Sequence, residues 1–402
     1  MVPRLRTLSS FVIRITKRRV GPRLCLKEGQ STLQVNKRLG ILCCIIIAGV
    51  LVCTLWPFDP FPSNQVTWLP NGHGIRFGSH GIVLSKKPLR AESTHGMEVC
   101  SLELLLQPAD TDGGYTILNF YTSGNPKQFR VRQWTDGLLV SRSVLDAWKN
   151  TTNQKFDVDH AFQPGKLLLI TMTSEPKGTI VYLNGRQARV LPNFIFTLND
   201  LAGQIVIGTS ATEYHPWRGE IRGLAVYSKE LAPDEVLRNY ENWTARGDAG
   251  EDLKGTIARY TFTEGAGDEI HNTVASGTDL EIPRSFFIPY KRMLESPAKE
   301  FEANRAYLKD LLLNIAGFVP VGFLVCAYWG VTGSGKHAIV CAILMGGILS
   351  FVIEVLQFYI PSRGSGITDI VTNTLGAVLG AVLARPSLVR MLLRGMDNVV
   401  YL

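Results

Sequence analysis

Four apolar runs, one near the start of the chain and three near its end, bracket a long polar middle in the 402-residue sequence. Leu39–Trp56 has no charged residue and is long enough to cross a bilayer. Leu311–Gly330 is interrupted by Asn314, Ala338–Ile360 by Glu354 and Gln357, and Ile367–Ala384 by Asp369 and Asn373. The connections Val331–His337 and Pro361–Gly366 are short, so the last three runs are expected to be antiparallel neighbouring helices. A secretory signal peptide fits the first run poorly, because the apolar stretch is too long and Trp56-Pro57-Phe58-Asp59-Pro60 is no small-residue cleavage site. A soluble helical core fits the last three poorly, since runs of this length with so few charges are rare in such cores.

The middle segment changes period. Lys166–Thr173 and Thr179–Leu183 read as strands joined by Glu175-Pro176-Lys177-Gly178, and Asn184-Gly185 is the signature of a type I′ hairpin turn. Gln204–Gly208 and Gly219–Tyr227 are strand-like, and Pro233-Asp234-Glu235 opens a helix reaching about Trp243, with proline in the first turn and acids at the positive dipole end. Many short strands with few helices predict a two-sheet sandwich. The fold class is therefore mixed: four transmembrane α-helices with an external all-β jelly roll.

Charge sets the orientation. Residues 1–39 carry a net +9 and the remainder −1, so the basic balance, with a pI near 9.1, is a tail property and no nucleic-acid partner is expected. The positive-inside rule keeps this tail in the cytoplasm and sends the first helix outward, which puts residues 57–310 outside and both chain ends inside a plasma membrane. Lys336 and the tail arginines Arg385, Arg390 and Arg394 agree with that count. The low charged fraction, 19%, and the mean hydropathy of +0.10 also favour a membrane protein. Of the seven cysteines only Cys100 lies in the polar middle, which supports neither a disulfide framework nor a structural zinc.

Two family resemblances follow from particular residues. Phe162-Gln163-Pro164-Gly165-Lys166 through Val181-Tyr182-Leu183-Asn184-Gly185, Ile207-Gly208, and Trp217-Arg218-Gly219-Glu220-Ile221 through Val226-Tyr227 resemble the second half of a LamG domain, a concanavalin A-like jelly roll. Gly74-Ile75-Arg76-Phe77-Gly78 fits its first strands, so that domain is placed at 60–245. Residues 246–309 are left as a β-like extension and linker, with Tyr260–Gly267 another LamG-type stretch without an assigned position. The pattern Asp310-x3-Asn314-x5-Pro320-x-Gly322, Glu354-x2-Gln357, Arg363 and Asp369-x3-Asn373-x2-Gly376-x3-Gly380 resembles the VanZ-like membrane family, over 310–384. In that family a further helix precedes these three, and Leu55-Trp56-Pro57-Phe58 looks like its exit. The resemblance implies a cell-envelope role, the family being named for a member associated with resistance to the glycopeptide teicoplanin.

The spacing has its own reading. At about 100° per residue Asp369, Asn373, Gly376 and Gly380 fall within roughly 60° of one another, and Asp310, Asn314 and Gly317 occupy a similar arc, so these faces are expected to meet other helices. Gly346, Ser350, Glu354 and Gln357 form a third stripe. Asn314, Glu354, Gln357, Asp369 and Asn373 then lie within about 10 Å of the outer edge, with Arg363 placed to pair with Glu354 or Asp369, as a polar pocket opening outward. The competing view is that these groups only join helices; carboxylates near a membrane argue for more.

In the outer domain Trp134, Trp148, His215 and Trp217 could stack on sugars, although aromatic residues in a sandwich also serve as core. Asp110 and Asp112, before Gly113-Gly114, are weak calcium candidates; no other cofactor is expected. The leading function is envelope binding, in which the jelly roll captures a glycan or a protein and the helices engage a lipid-linked or amphiphilic molecule. A membrane enzyme with Glu354 or Asp369 as acid or base, and a plain anchor for the LamG-like domain, are the alternatives. A reporter fused after residue 200 is expected to be external and one fused after Leu402 internal; a cytoplasmic signal from the first would invert the orientation.

Overall fold

The computed structural model describes residues 22–70, 72–90, 99–145, 151–247, 254–274, 277–301, 303–332, 337–389 and 391. The basic tail to residue 21, Trp148, Lys336, Arg390 and Arg394 lie outside the described residues. Two compact units are present: Met1–Thr54, Ser296–Ile353 and Gly366–Leu402 form one, and Leu55–Glu295 with Glu354–Ser365 form the other.

In chain order the elements are α1 (Pro22–Leu55), β1 (Val66–Trp68), β2 (Ile75–Phe77), β3 (Val83–Ser85), β4 (Cys100–Pro108), β5 (Gly114–Tyr121), β6 (Phe129–Trp134), β7 (Gly137–Leu145) and β8 (Thr151–Val158). There follow β9 (Leu168–Glu175), β10 (Gly178–Leu183), β11 (Arg186–Leu191), β12 (Gln204–Ile207), β13 (Gly219–Tyr227), α2 (Pro233–Arg246), β14 (Thr256–Tyr260), β15 (Glu269–Ile270) and β16 (Leu280–Glu281). The chain ends with α3 (Pro297–Glu300), α4 (Arg305–Thr332), α5 (Ala338–Phe358) and α6 (Ile367–Leu383).

The β unit is a sandwich of two antiparallel sheets. One runs β1-β2-β13-β4-β9-β10-β11, with β14 also on β13; the other runs β15-β16-β3-β12-β5-β6-β7-β8. The β10–β11 turn is the one expected, with Asn184 and Gly185 both at positive φ, which a type I′ turn requires. Leu102, Leu104, Leu106, Ile221, Leu224 and Val226 of the first sheet pack on Leu118, Phe120, Val131 and Val140 of the second. Alternate positions of the first sheet, Leu105, Leu169 and Ala225, are buried on its other side with Val236 and Trp243 of α2, so β4 is buried on both faces rather than alternating. The α2 helix begins with proline and ends at Gly247 in the left-handed conformation.

Part of the stretch expected as a β-like extension, 246–309, supplies strands to this sandwich. β14 joins the first sheet and β15 and β16 the edge of the second, while Tyr260, Phe262, Ile270 and Leu280 enter the main core. Phe286 and Ile288 then cover Ile82 and Val206 on the outer face of the second sheet, near β3 and β12.

Among the described residues, three helices are long and apolar enough to cross a membrane, Gln34–Leu55 within α1, α4 and α5; α6 is apolar but shorter. α1 and α4 extend beyond the apolar runs that mark them in the sequence. α4 and α6 approach closely through glycines. A Cβ on Gly376 would stand 2.3 Å from the Ile315 carbonyl oxygen, one on Gly380 2.0 Å from that of Val319, and one on Gly322 2.0 Å from that of Ala377.

One polar group is sealed inside the sandwich. Glu103 of β4 accepts hydrogen bonds from Tyr227 Oη (2.8 Å), Trp243 Nε1 (2.9 Å), Asn239 Nδ2 (3.1 Å) and Thr171 Oγ1 (3.3 Å). Burial pushes its pKa up, and the four donors oppose that shift. Glu103→Ala leaves the buried indole and phenol donors without their acceptor and is expected to destabilise the sandwich by about 3 kcal/mol. Thermal unfolding of the full-length variant in detergent, followed by circular dichroism, checks this, and an unchanged midpoint would contradict it.

Candidate functional sites

Two polar pairs join the apolar helices. Asn314 Nδ2 on α4 donates to Asp369 Oδ1 on α6 at 2.7 Å, and Asn373 Nδ2 donates to Ser350 Oγ on α5 at 2.9 Å. Asn373 Oδ1 is buried with no partner among the described residues. Glu300, at the end of α3, was not among the expected residues. It accepts from the Thr368 hydroxyl and, at 3.2 Å, from the Thr368 backbone N–H, and so places a carboxylate on the positive end of α6. Glu354 is buried on α5, and Asp310 is exposed one turn before Asn314.

Two expectations are corrected. Gly317 is exposed, and a Cβ there would meet nothing within 4 Å. The close approach of α4 to α6 runs through Ile315, Phe318, Val319 and Gly322, with Asn314 at its edge reaching Asp369, and Gly317 takes no part in it. Arg363 pairs with neither Glu354 nor Asp369. Its Nε and Nη2 donate to the Trp56 carbonyl oxygen at 2.9 and 2.7 Å, a fork closed on a single backbone acceptor just beyond α1.

The same loop carries a second interlock. Lys291 Nζ donates to the carbonyls of Gln357 (3.0 Å) and Ile360 (2.7 Å) at the end of α5 and lies 5.6 Å from the centre of the Phe358 ring. Burial lowers its pKa to about 8. Leu294 N–H donates to Ser365 Oγ, Glu295 N–H to Ser365 O, and Ser365 Oγ to Glu354 O. The Phe61 N–H reaches Tyr359 O at 3.4 Å, with the two rings 5.3 Å apart. Gln357 thus contributes a backbone acceptor to this interlock.

In the sandwich the aromatic candidates separate. Trp217 is fully buried, its Nε1 donating to Gln133 Oε1 at 2.8 Å, and is core instead of a sugar platform. His215 lies with Nδ1 3.3 Å from Glu213 Oε2. Trp134 is 57% exposed at the end of β6. Asp110 Oδ2 forms an ion pair with Arg218 Nη2 at 2.8 Å, and Asp110 Oδ1 accepts from the Asp112 N–H, so this carboxylate is engaged within the loop. No group of three or more His, Cys, Asp or Glu is placed to hold a metal among the described residues.

Comparison with known proteins agrees with both halves of this geometry. Residues 262–392 match the VanZ/LLP1 family model, and residues 93–237 match that of the concanavalin A-like lectin/glucanases superfamily. The chain joins a VanZ/LLP1 region to a concanavalin A-like domain. The VanZ/LLP1 match starts at Phe262, inside the sandwich core, so it takes in β15 and β16 as well as α4–α6. No curated protein matches the chain. Among solved structures, a putative carbohydrate binding protein from Bacteroides ovatus is 13% identical, with 57% of this chain and 62% of that one covered and a TM-score of 0.37. The binding domain of botulinum neurotoxin DC, in complex with SialylT, is 16% identical over 46% of each chain, with a TM-score of 0.35. The receptor binding domain of botulinum neurotoxin D is 16% identical, covering 48% of this chain and 50% of that one, with a TM-score of 0.34. The chain spans less than two thirds of the length of each.

The helix contacts give a paired test. Gly376→Ala pushes a methyl group into the Ile315 carbonyl and is expected to lower the yield of folded protein, while Gly317→Ala is expected to leave it unchanged. Detergent-extracted abundance with the monodisperse fraction measures both, and equal yields of the two variants would contradict the packing described.

Proposed function

We propose that this chain is a multi-pass protein of the plasma membrane, with α1, α4, α5 and α6 crossing the bilayer, both chain ends inside, and the concanavalin A-like sandwich outside. There the sandwich captures a glycan or an envelope protein, while the VanZ/LLP1 helices engage an amphiphilic or lipid-linked molecule. The matches to the two family models and the apolar helices support a membrane protein of the envelope with a binding domain. The observation that carries the reading is the interlock of the α5–α6 loop with both ends of the sandwich. Arg363 holds the entry at Trp56, and Lys291 with Leu294 and Glu295 holds the exit on Gln357, Ile360 and Ser365.

A sandwich tied only by its chain ends would need none of these contacts. Their presence favours a protein in which capture outside is communicated to the end of α5, next to the buried Glu354. That residue, with Asp369, is the candidate for chemistry on the helical side.

The test is complementation of a strain lacking the protein, read as susceptibility to a glycopeptide such as teicoplanin. The Lys291→Ala/Arg363→Gln double variant is expected to reach normal abundance but not restore the wild-type response. Glu354→Gln, which keeps shape while removing charge, is expected to fail in the same way. Full complementation by all of these variants would leave the sandwich as an anchored passenger.

A further inference from the structure

Strand β6 carries a feature that the functional reading has not used. Its sequence, Phe-Arg-Val-Arg-Gln-Trp, alternates: Phe129, Val131 and Gln133 are buried toward the core, while Arg130, Arg132 and Trp134 share the outer face. Across the register, Asn119, Arg130, Ser141 and Lys155 form one row from β5 to β8, and Thr116, Arg132, Leu139 and Asp157 form the next. The Phe286–Ile288 segment covers this sheet near β3 and β12, whereas Trp134 and Lys155 are exposed.

The carboxylates near this face are engaged by other cations, Asp157 by Arg189 and Glu213 by Lys127. Glu213 accepts a hydrogen bond from Lys127 and stands 3.9 Å from Arg130 Nη1. Arg132 has no carboxylate partner among the described residues; burial lowers the Arg130 pKa, Glu213 opposes that shift, and the charge of Arg132 adds to it. The Nε atoms of both arginines, Thr116 Oγ1 and Ser141 Oγ are buried with no hydrogen-bond partner among the described residues. Two guanidiniums at alternate positions of one strand repel, and an anion placed over them relieves that repulsion.

Gly114 adds shape to charge. A Cβ on it would lie 2.7 Å from Cε3 and Cζ3 of the Trp134 ring and 3.8 Å from Arg132 Nη2. The indole and the guanidinium therefore converge over bare backbone, with the exposed ring surface beside the terminal Nη groups of a guanidinium whose Nε is buried. Residues i and i+2 of a strand are about 7 Å apart. That spacing lets a sugar ring stack on the indole while its acidic substituent meets the guanidinium in bidentate fashion.

We propose that the Arg130–Arg132–Trp134 stripe on the outer face of β6 binds an anionic saccharide, with Trp134 stacking on the ring and Arg132 taking its carboxylate or sulfate. This rests on the reading of the sandwich as a glycan-binding domain and names the class of glycan. Neutral sugars use the indole alone. Acidic ones use both groups and are held more tightly.

The full-length protein in detergent is immobilised and tested against polygalacturonate, dextran sulfate and neutral dextran. Binding of polygalacturonate or dextran sulfate well above dextran is expected, and preference between the two identifies the acid group. Arg132→Gln and Trp134→Ala are each expected to weaken that binding by about tenfold or more. Arg132→Lys, which keeps the charge but loses the fork, is expected to fall between Arg132→Gln and wild type. Arg189→Gln, an equal loss of charge at an exposed pair with Asp157 on the sandwich edge, is expected to have no effect. Unchanged thermal midpoints for the variants ensure that folding is not the cause. Equal affinity for dextran and the acidic polymers, or acidic binding indifferent to Arg132→Gln, overturns the anionic assignment and leaves glycan binding standing. Binding to none of the three overturns the assignment, and the glycan reading falls with it if envelope polysaccharide extracts are also not bound.

Discussion

A carbonyl oxygen can accept two hydrogen bonds, and at the end of α5 the carbonyls of Gln357 and Ile360 do so. They already accept the N–H groups of Ile360 and Arg363, and take a second donor from a lysine far earlier in the chain. Lys291 supplies the donors to Gln357 and Ile360, and the Phe358 ring lies close to its ammonium. Burying that ammonium costs solvation, reflected in its lowered pKa, so the position is held only because the carbonyls and the ring are there. Arg363 does the reciprocal for Trp56, beyond the end of α1. The arrangement of the β unit around residues 354–365 depends on these donors.

Within the sandwich the two sheets differ in what they leave free. The first is covered on both sides, by the core and by α2, and Glu103 is the polar knot at that covered side, binding β4, β9, β13 and α2 together. The second is covered near β3 and β12 but keeps an alternating pattern on β6.

Much of this could be read before the coordinates. The apolar runs located the helices, the turn residues located the β9–β10–β11 hairpins, and proline with two acids located the start of α2. Asn314 reaches Asp369 and Asn373 reaches α5, because hydrogen-bonding groups in apolar helices have few places to point. The failures have equally specific causes. Gly317 was placed at an interface because its neighbours on the stripe are polar, yet the close approach of α4 to α6 passes it by. Arg363 and Lys291 find backbone carbonyls, and an acceptor every residue possesses leaves no mark in a sequence. β15 and β16 are two residues long, too short for a period to register. Trp217 and Trp134 look alike as residue types; strand phase separates them, since Trp134 is in step with two arginines.

The double fastening of the sandwich has a mechanical side. The domain is an insertion, so two covalent strands connect it to the helices, one at residues 55–63 and one at 285–305, and the 357–365 loop is bonded to both. A pull on whatever the domain holds is divided between two attachments loaded in parallel. Neither can peel away without breaking contacts of the other, because both share the Arg363–Ser365 corner. Separating either attachment from the 357–365 loop would cost backbone-directed hydrogen bonds, those of Arg363 on one side and of Lys291, Leu294 and Glu295 on the other.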